Sequence, residues 1–430
     1  ELTKRIYAKV PVLIRDSSAK EAQEENPWGI RFQTMFHMSN DSHLFQSEDG
    51  SDRLPLYEAK MMHQFDHRWT SYEEEPQTNR KIPDSNAEPN TKVRDAQESE
   101  KADPHWKPKP RYWVDKKEVL ARITSLPSDI AKAWLLGNAN SLREAMGNYR
   151  DAKEWTFLSD LFSIKDDAKL LHECEKCIEE NSPRWLMGWR NITNTTNERT
   201  VIASIIPRSA VGNNMPLFIF DNYKSSDNIL CLTGNINSLV FDFIARHKLG
   251  GTNLNFFYIK QFPVLPPSVY SKEDLLFIVP RVLELCYSAY DIAALAEDVW
   301  NSSDKDLKEA ILMQRKRAGG EGQLAFDAKI SAEDKLNAEE FPPFPWNPER
   351  RALIRAQLDA HYARLYGLSR EELCYILDPK SVMGEDYPSE SFRVLKDKEL
   401  KAFGEYRTMR LVLEAWDEEE IKANERPKSK

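Results

Sequence analysis

Short runs of alternating apolar and polar residues dominate the N-terminal part of the chain. The runs RIYAKVPVLI (residues 5–14) and GIRFQTMFHM (residues 29–38) carry β-branched and aromatic residues at partly alternating positions. That period is typical of strands with one buried face. We therefore expect residues 1–72 to form a strand-rich segment.

The pattern is lost between residues 73 and 114. Six prolines and very few large apolar residues stand between Glu73 and Pro110, too few to offset the entropy cost of ordering the segment. We expect an exposed insertion or flexible linker here. Apolar residues recur every three or four positions over residues 115–184, which predicts a helical subdomain.

Residues 185–270 combine the strand-like alternation and the helix-like spacing of apolar residues. The short β-rich runs VIASIIP, PLFIF and NILCLT are separated by Pro, Gly and Asn, and Asn235 can cap the helix that follows them. The stretch RHKLGGTNLNFFYIKQFPVLPP (residues 246–267) predicts a helix end, a glycine hook at Gly250 and Gly251, a short strand and a rigid proline exit. This block is expected to be a mixed α/β domain.

Helix signals return in the C-terminal part. Ser271 is a candidate cap for a helix that is kinked or broken at Pro280. Asn347 followed by Pro348 predicts another helix start, Gly367 its end, and Ser369 with Glu372 a capping box. The chain is thus predicted to be an α+β protein, a mixed α/β domain flanked by helical subdomains. Its predicted segments are 1–72, 73–114, 115–184, 185–270, 271–317, 318–346 (a linker) and 347–430.

Composition limits the classes of function. The 430 residues include 60 basic and 69 acidic side chains, a net charge of −9, so a general nucleic-acid-coating role is disfavoured and any nucleic-acid surface must be local. Five cysteines with only one close pair support neither a disulfide framework nor a four-thiolate zinc site. With no apolar run near the length of a membrane span, we expect a cytoplasmic protein without a membrane partner.

Known catalytic and metal-binding motifs are missing from the sequence. His172, Cys174 and Cys177 lie in HECEKC, but a zinc site needs a fourth ligand, so no metal is expected. GxxxxGK[ST], GxGxxG and GxSxG are absent. FPPFPW (residues 341–346) has Phe341 where a methyltransferase loop of that shape needs a polar acceptor, so we predict no catalytic residue in this chain.

One alternative is a Mg²⁺-dependent DNA endonuclease. Glu58 and Lys60 in PLYEAKMM, with Asp41 or Asp52 upstream, have the residue types that hold Mg²⁺ and orient a water molecule. The pattern spans only three residues and is common by chance. A strand with Lys60 facing solvent or a phosphate is the stronger interpretation.

Local charge favours nucleic acid. The segment from Arg184 to Arg208 contains four arginines and one acidic residue, Glu198. Within it, NITNTTNERT adds amide and hydroxyl groups that can form hydrogen bonds with base edges. Arg246 and Lys248 stand directly before the glycine pair. The run HWKPKPRYWVDKK (residues 105–117) mixes five cations with three aromatics and one acid, as segments that follow a nucleic-acid backbone do.

The longer motifs resemble a known family. WRNITNTTNERTVIASIIPRSAVG and LTGNINSLVFDFIARHKLGGTNLNFFYIKQFPVLPP resemble the target-recognition region of adenine-specific DNA methyltransferases of the fused type IIG and BREX/DISARM-like phage-defence group. LDAHYARLYGLSREELCYILDP is similar to the C-terminal tail of these enzymes, and LPLYEAKMMHQFDHRW to the segment that joins their catalytic and recognition domains. The glycine-rich S-adenosylmethionine loop of the family's catalytic half is missing.

The resemblance implies sequence-specific recognition of double-stranded DNA by this chain. S-adenosylmethionine and the methyl transfer are expected in a catalytic domain, on the same polypeptide or a partner chain, which flips the adenine out of the duplex; no cofactor is expected in this chain. Other subunits of a defence system are expected partners, and a protein-interaction subunit docking through residues 347–417 stays an alternative. The expected DNA-binding residues are Arg190, Asn197, Arg199, Thr200, Arg208, Arg246, Lys248 and Thr252, with Gly250 and Gly251 shaping the hook.

Overall fold

Helices and strands both contribute to the architecture. The computed structural model describes residues 1–16, 25–74, 91–124, 126–150, 153–221, 226–319, 341–387 and 391–425. The described part of the chain is 53% helical and 13% strand, so the α+β class is confirmed at this level. Parts of the predicted insertion (75–90) and of the predicted linker (320–340) lie outside the described residues.

The strands form three small sheets. A four-stranded sheet has the order β1-β9-β6-β7 with antiparallel neighbours, a three-stranded sheet the order β5-β2-β8, and β3 pairs with β4. The strands are β1 (Ile30–Gln33), β2 (Arg53–Tyr57), β3 (Thr70–Glu74), β4 (Thr91–Asp95), β5 (Trp113–Asp115), β6 (Trp185–Trp189), β7 (Ala203–Pro207), β8 (Ala210–Val211) and β9 (Leu217–Phe220).

The four-stranded sheet separates two hydrophobic cores. Because successive strand residues face opposite sides, Trp185 and Met187 of β6 enter the first core and Leu186 enters the second. On β9, Phe218 faces the first core and Ile219 the second. Apolar residues on both faces explain why these strands read as continuous apolar runs.

The helices distribute over the two cores. The second core is built largely from α3 to α6, in the region where a helical subdomain is expected, and most later helices surround the first core. The helices are α1 (Leu2–Lys9), α2 (Glu98–Ala102), α3 (Lys116–Ile123), α4 (Ser128–Leu135), α5 (Ala139–Gly147), α6 (Asp167–Glu180), α7 (Ser226–Ile236), α8 (Leu239–Lys248), α9 (Phe256–Lys260), α10 (Lys272–Cys286), α11 (Ala293–Ser302), α12 (Lys305–Ala318), α13 (Pro348–Leu365), α14 (Arg370–Leu377), α15 (Lys380–Met383), α16 (Arg393–Phe403) and α17 (Arg407–Glu425).

Several helix boundaries match their local sequence signals. The Ser271 side chain accepts from the Asp274 N–H and starts α10, which runs on through Pro280. Asn347 caps α13 with Pro348 at its first position. Gly367, with φ of +71°, lies just after the end of α13 in the left-handed conformation that favours glycine. The capping box at Ser369 is also present. These predictions are confirmed.

Four element predictions are wrong. Residues 2–9 form α1 rather than a strand, so the expectation of a purely strand-rich 1–72 segment fails at its start. The run NILCLT lies inside α7. In a wholly buried apolar run the spacing of apolar residues does not distinguish a strand from a helix. The cap of α8 is Ser238, not Asn235. Residues 256–260, expected as a strand, form α9 with Asn255 as its cap.

The predicted flexible insertion is also wrong for residues 91–114. Strand β4 pairs with β3, and the buried Lys101 ammonium lies 2.6 Å from the Asp66 carboxylate. The Arg68 guanidinium donates to the carbonyl oxygens of Lys101 and Asp103 at 2.7 and 2.8 Å. A few buried polar contacts with distant residues therefore fix a segment that has little apolar content of its own.

Membrane-spanning character was assessed for the described helices. None of them alone has the length and apolar composition to cross a bilayer. The pair α7 and α8 reaches that length and composition together, but it is bent by 57° at the junction, and most of its residues are buried among the side chains of the first core.

Candidate functional site

Three loops leave the four-stranded sheet at the same end. The register pairs Gly188 with Leu217 and Gln33 with Leu217, so the ends of β6 and β1 lie beside the start of β9. Three segments therefore begin or finish at this end of the sheet, namely residues 34–38, 190–202 and 212–216. We call it the loop end of the sheet.

A fourth loop, residues 249–255 with the glycine pair, is attached to the same end. The Thr193 N–H donates to the Thr252 carbonyl at 2.9 Å, and the Leu254 N–H donates to the Asn191 carbonyl at 2.7 Å. The Asn191 N–H in turn donates to the Asn214 carbonyl at 2.9 Å. Backbone bonds thus hold the NITNTT and GGTN segments side by side, although about 60 residues separate them in sequence.

An open pocket of about 280 Å³ lies at the loop end. It combines two cationic side chains and one anionic side chain with amide and apolar groups, which is the composition of a ligand-binding cleft. Its lining residues are Met38, Glu58, Ala59, Lys60, Arg190, Ile192, Gly212 and Asn214.

Glu58 and Lys60 line the pocket and contact the buried Tyr72 behind them. The Lys60 ammonium lies 3.3 Å from the Glu58 carboxylate and 4.9 Å from the centre of the Tyr72 ring, and the Tyr72 hydroxyl donates to Glu58. Burial and this carboxylate raise the pKa of Tyr72, so the hydroxyl stays a donor. Lys60 remains exposed and is the cation of the pocket available to a ligand.

Arg190 shapes the pocket rather than reaching out of it. Its guanidinium donates to the carbonyl oxygens of Ala59 and Met62, each at 3.0 Å, and so fastens the turn that carries Glu58 and Lys60. Burial lowers the pKa of Arg190 to about 10. The expected DNA contact of this residue is therefore replaced by a structural role, although its side chain lines the pocket.

Arg199 and Arg246 are engaged inside the protein, which contradicts their expected contact with DNA. Arg199 is buried and lies 3.4 Å from Asp359 on α13. Arg246 lies 3.1 Å from Asp242 and donates to the Thr195 and Ser391 carbonyls at 2.8 and 2.7 Å. Both guanidinium groups hold the 190–202 loop against α8 and α13.

The structure also places Thr200 and Arg208 in internal contacts, whereas Lys248 keeps part of its side chain at the surface and its DNA contact stays a prediction. Thr200 is fully buried, and its N–H donates to Asp242 at 2.9 Å. Arg208 follows the far end of β7 and donates to the Pro183 and Ser182 carbonyls at 2.7 and 2.9 Å. Lys248 is half-buried against Tyr7. The guanidinium group of an arginine often donates hydrogen bonds to nearby carbonyl groups of the protein. The composition of a basic run does not show whether its arginines are engaged in this way.

The expected site residues that stay exposed are Asn197, Gly250, Gly251 and Thr252. The sequence prediction missed Asn194, Thr196 and Asn253, which are exposed in the same two loops. The repeated Asn and Thr in NITNTTN and GGTN was the signal that could have found them. Together these side chains give the loop end a surface rich in amide and hydroxyl groups.

The glycine pair is not explained by internal packing. Neither Gly250 nor Gly251 has a positive φ, so the left-handed turn expected of the hook is not formed. A Cβ built on Gly251 would meet no atom within 4 Å, and one on Gly250 only the Tyr258 hydroxyl at 3.8 Å. The backbone here is open to close approach from outside.

The nuclease alternative stays a prediction. Asp41 accepts from the His37 N–H at 2.7 Å and lies 3.9 Å from Arg122, while the contacts of Glu58 are Tyr72 and Lys60. No group of three His, Cys, Asp or Glu side chains able to hold a metal forms within the described ranges.

A buried polar cluster around Asp66 was not predicted. Phe65, with φ of +60°, stands in a conformation that is unusual for a non-glycine residue. Burial alone would raise the pKa of Asp66, but Lys101 and Arg351 lower it to about 2. The Lys101 ammonium lies 4.4 Å from the Trp69 ring and 4.8 Å from the Trp346 ring. The cluster ties the HQFDHR segment to the helices around the first core.

Comparison with known proteins gives no match: no family model, no curated protein and no solved structure corresponds to this chain.

Proposed function

We propose that this chain is the sequence-specific DNA-recognition part of an adenine-specific DNA methyltransferase of a bacterial restriction-modification or phage-defence system. The observation that carries the proposal is that two loops with exposed Asn and Thr side chains, one of them with an open glycine backbone, are bonded to each other at the end of the sheet where Lys60 lines a pocket. Asn can bond adenine bidentately, the Thr methyl can contact thymine, and Lys can bind guanine or a phosphate.

In this proposal the two bonded loops, 190–202 and 249–255, enter a groove of the duplex together. The backbone bonds between them and the buried Arg246 and Asp242 keep them in one geometry, so little entropy is lost on binding. Arg199 and Arg246 act on recognition through the shape of the loop. A methyltransferase catalytic domain, on the same polypeptide or a partner chain, supplies S-adenosylmethionine and the methyl transfer.

The test is selection from a pool of random duplexes by the 430-residue chain, followed by fluorescence anisotropy with the selected and a scrambled duplex. We expect enrichment of one motif. Asn197→Ala and Thr252→Ala should each lose roughly 1–3 kcal/mol of affinity and relax single positions. Asn140→Ala, an exposed site on α5, is the matched control and should bind as the wild type does. Absence of duplex binding at low salt would overturn the proposal in favour of a protein-interaction role.

A further inference from the structure

The pocket lies where three parallel segments of the chain end. Strand β2 pairs in parallel with β8, with Tyr57 opposite Val211, and Phe36 forms a further parallel bridge with Gly212. The Gly212 N–H donates to the Tyr57 carbonyl at 2.9 Å and holds two of these ends together. Ligands bind beyond the carboxyl ends of parallel strands in open sheets, because the segments that follow the strands meet there. The residues that follow the three ends line the pocket: Met38, Glu58, Ala59, Lys60 and Asn214.

The size and the apolar surfaces of the pocket fit a flat ring system. Its volume is about 280 Å³, whereas an apolar cavity of about 150 Å³ already holds a benzene ring, so a bicyclic base has room. Met38 and Ile192 supply apolar surface, and Ile192 is 57% exposed. Gly212 leaves the space beside the Met38 sulfur open, since a Cβ built there would lie 3.3 Å from that sulfur. Thioether and aliphatic groups pack well on aromatic faces, as they do on a nucleobase that has left its stack.

The charged groups of the pocket place an acceptor directly beside a donor. The Lys60 ammonium lies 3.3 Å from Glu58 Oε2, and the Tyr72 hydroxyl donates to Oε1 of the same carboxylate. Each carboxylate oxygen has two lone-pair sites, so both oxygens can accept one more hydrogen bond. Arg190 donates to carbonyl oxygens of the turn that carries these residues. Acceptor and donor therefore start from a fixed backbone.

Guanine is the base whose edge matches this arrangement. Its Watson–Crick edge presents two neighbouring donors, N2–H₂ and N1–H, followed by the O6 acceptor. The Glu58 carboxylate can accept from both donors while the Lys60 ammonium donates to O6, in the same order along the edge. Adenine, cytosine and thymine each have an acceptor next to the donor on that edge, so their lone pair would face the carboxylate. The Asn214 amide, which has no hydrogen-bond partner within the described part of the chain, can bond the other edge of the base.

We infer that the pocket binds a guanine base that is not paired in a double helix. Pairing covers the Watson–Crick edge, so only a guanine outside the stack presents that edge to the pocket. The inference deepens the proposed function and rests on it for one of two sources of the base, a guanine that leaves the DNA duplex at the loop end. The other source is a free guanine nucleotide, which presents the same edge.

The first experiment is isothermal titration calorimetry of the 430-residue chain with guanosine, inosine and adenosine monophosphates. The inosine nucleotide keeps N1–H and O6 but lacks the 2-amino group. It should bind roughly ten- to hundredfold more weakly than the guanosine nucleotide, because one hydrogen bond to a charged group is lost. The adenosine nucleotide should bind more weakly still. All three ligands carry the same phosphate, so their order reports on the base.

Two variants test whether the preference arises in this pocket. Glu58→Gln should lower the ratio of guanosine to adenosine nucleotide affinity by roughly tenfold or more, since the amide replaces one of two acceptors by a donor. The ratio is decisive because the lost charge changes the attraction for the phosphate alike in both ligands. Lys60→Gln, at an exposed position, should weaken the guanosine and inosine nucleotides, which both carry O6, relative to the adenosine nucleotide.

Glu144→Gln is the matched control. It removes the same charge from an exposed site on α5 and should leave the order and the ratios as in the wild type. Circular dichroism of each variant verifies that the fold is unchanged. Unchanged ratios in both the Glu58 and the Lys60 variant would overturn the assignment to this pocket.

The second experiment distinguishes the two sources of the base. Fluorescence anisotropy compares a duplex that carries one unpaired guanine with the same duplex carrying an unpaired adenine at that position. A preference for guanine that Glu58→Gln removes supports the inference with DNA as the source. Equal affinity for the two duplexes, together with the expected order of the nucleotides, supports it with a free nucleotide as the source.

The outcomes also separate this inference from the proposed function. If the wild type selects a duplex motif but prefers guanine in neither experiment, the pocket inference is wrong and the proposed function stands. If the wild type prefers the guanosine nucleotide but binds no duplex, the pocket inference stands and the proposed function is wrong.

Discussion

Arg199 and Asp359, separated by 160 positions in sequence, meet 3.4 Å apart in the interior, where both are buried. Asp359 also accepts from the Leu239 N–H at 2.7 Å. The pair therefore joins the 190–202 loop, the start of α8 and the middle of α13. A residue expected to contact DNA is instead part of the framework that carries the loops proposed to contact DNA.

Arg199→Met is accordingly predicted to destabilise the protein by about 3–5 kcal/mol, since it leaves the Asp359 carboxylate buried without its cation. Urea unfolding monitored by fluorescence measures the loss. Arg393→Met on α16, where the arginine is exposed and 3.5 Å from Asp397, is the control and should change the free energy of unfolding by about 0.5 kcal/mol or less. An unchanged stability of the Arg199 variant would contradict the structural role.

Asp66 is predicted to make the protein sensitive to acid. Lys101 and Arg351 lower its pKa from 3.8 to about 2 against the effect of burial. A lowered folded pKa gives stability that is present above the unfolded pKa and lost as pH falls towards the folded value, here between about pH 5 and pH 2. Its contribution is about 2 kcal/mol.

The measurement is the free energy of unfolding of the wild type and of Lys101→Met between pH 7 and pH 3. At pH 7 the free energy of unfolding of the variant should be about 3–5 kcal/mol lower than that of the wild type. Between pH 7 and pH 3 the variant should then lose less stability than the wild type, because Lys101 no longer holds its buried carboxylate ionised. Equal acid dependence of the two proteins would show that the pair does not set this transition. The exposed Lys132→Met serves as control.

Glu58 and Lys60 are predicted to act on DNA affinity with opposite signs. Lys60→Gln removes the exposed cation of the pocket and should weaken duplex binding; if Lys60 holds a phosphate, the salt slope falls by about one. Glu58→Gln removes the anion 3.3 Å from that ammonium and should tighten binding at low salt. Mg²⁺-dependent nicking of plasmid DNA that Glu58→Gln abolishes would instead support the nuclease alternative.

Gly251→Ala is predicted to leave the fold intact and to weaken DNA binding. A Cβ at this position meets no atom of the protein within 4 Å, so the free energy of unfolding should change by about 0.5 kcal/mol or less. A duplex that approaches the bare backbone would collide with the added methyl group. Gly147→Ala, where an added Cβ at the end of α5 also meets no atom, is the matched control. If the two variants bind DNA with equal affinity, the loop that carries Gly250 and Gly251 is not part of the interface.

Several helix boundaries in the C-terminal part were predictable from sequence because their causes are local. Ser271, Ser369 and the Asn347–Pro348 pair satisfy backbone groups within three residues of themselves, and Gly367 supplies the φ that a helix end favours. The strand prediction for residues 228–233 failed since a wholly buried apolar run looks alike in a helix and a strand. Packing between two cores decided that case.

The candidate site divides in the same way. The sequence alone determined that Asn and Thr are concentrated in NITNTTN and GGTN, and that cations cluster near residues 105–117 and 184–208. Only the tertiary structure decided which of these side chains reach the surface. Because an arginine side chain is long, it can bind carboxylate and carbonyl groups that are distant in sequence. Arg199 pairs with the Asp359 carboxylate in this way, and Arg246 donates to the Ser391 carbonyl. Exposure of a charge is therefore a property of the folded neighbourhood, whereas a helix cap depends on the few residues around it.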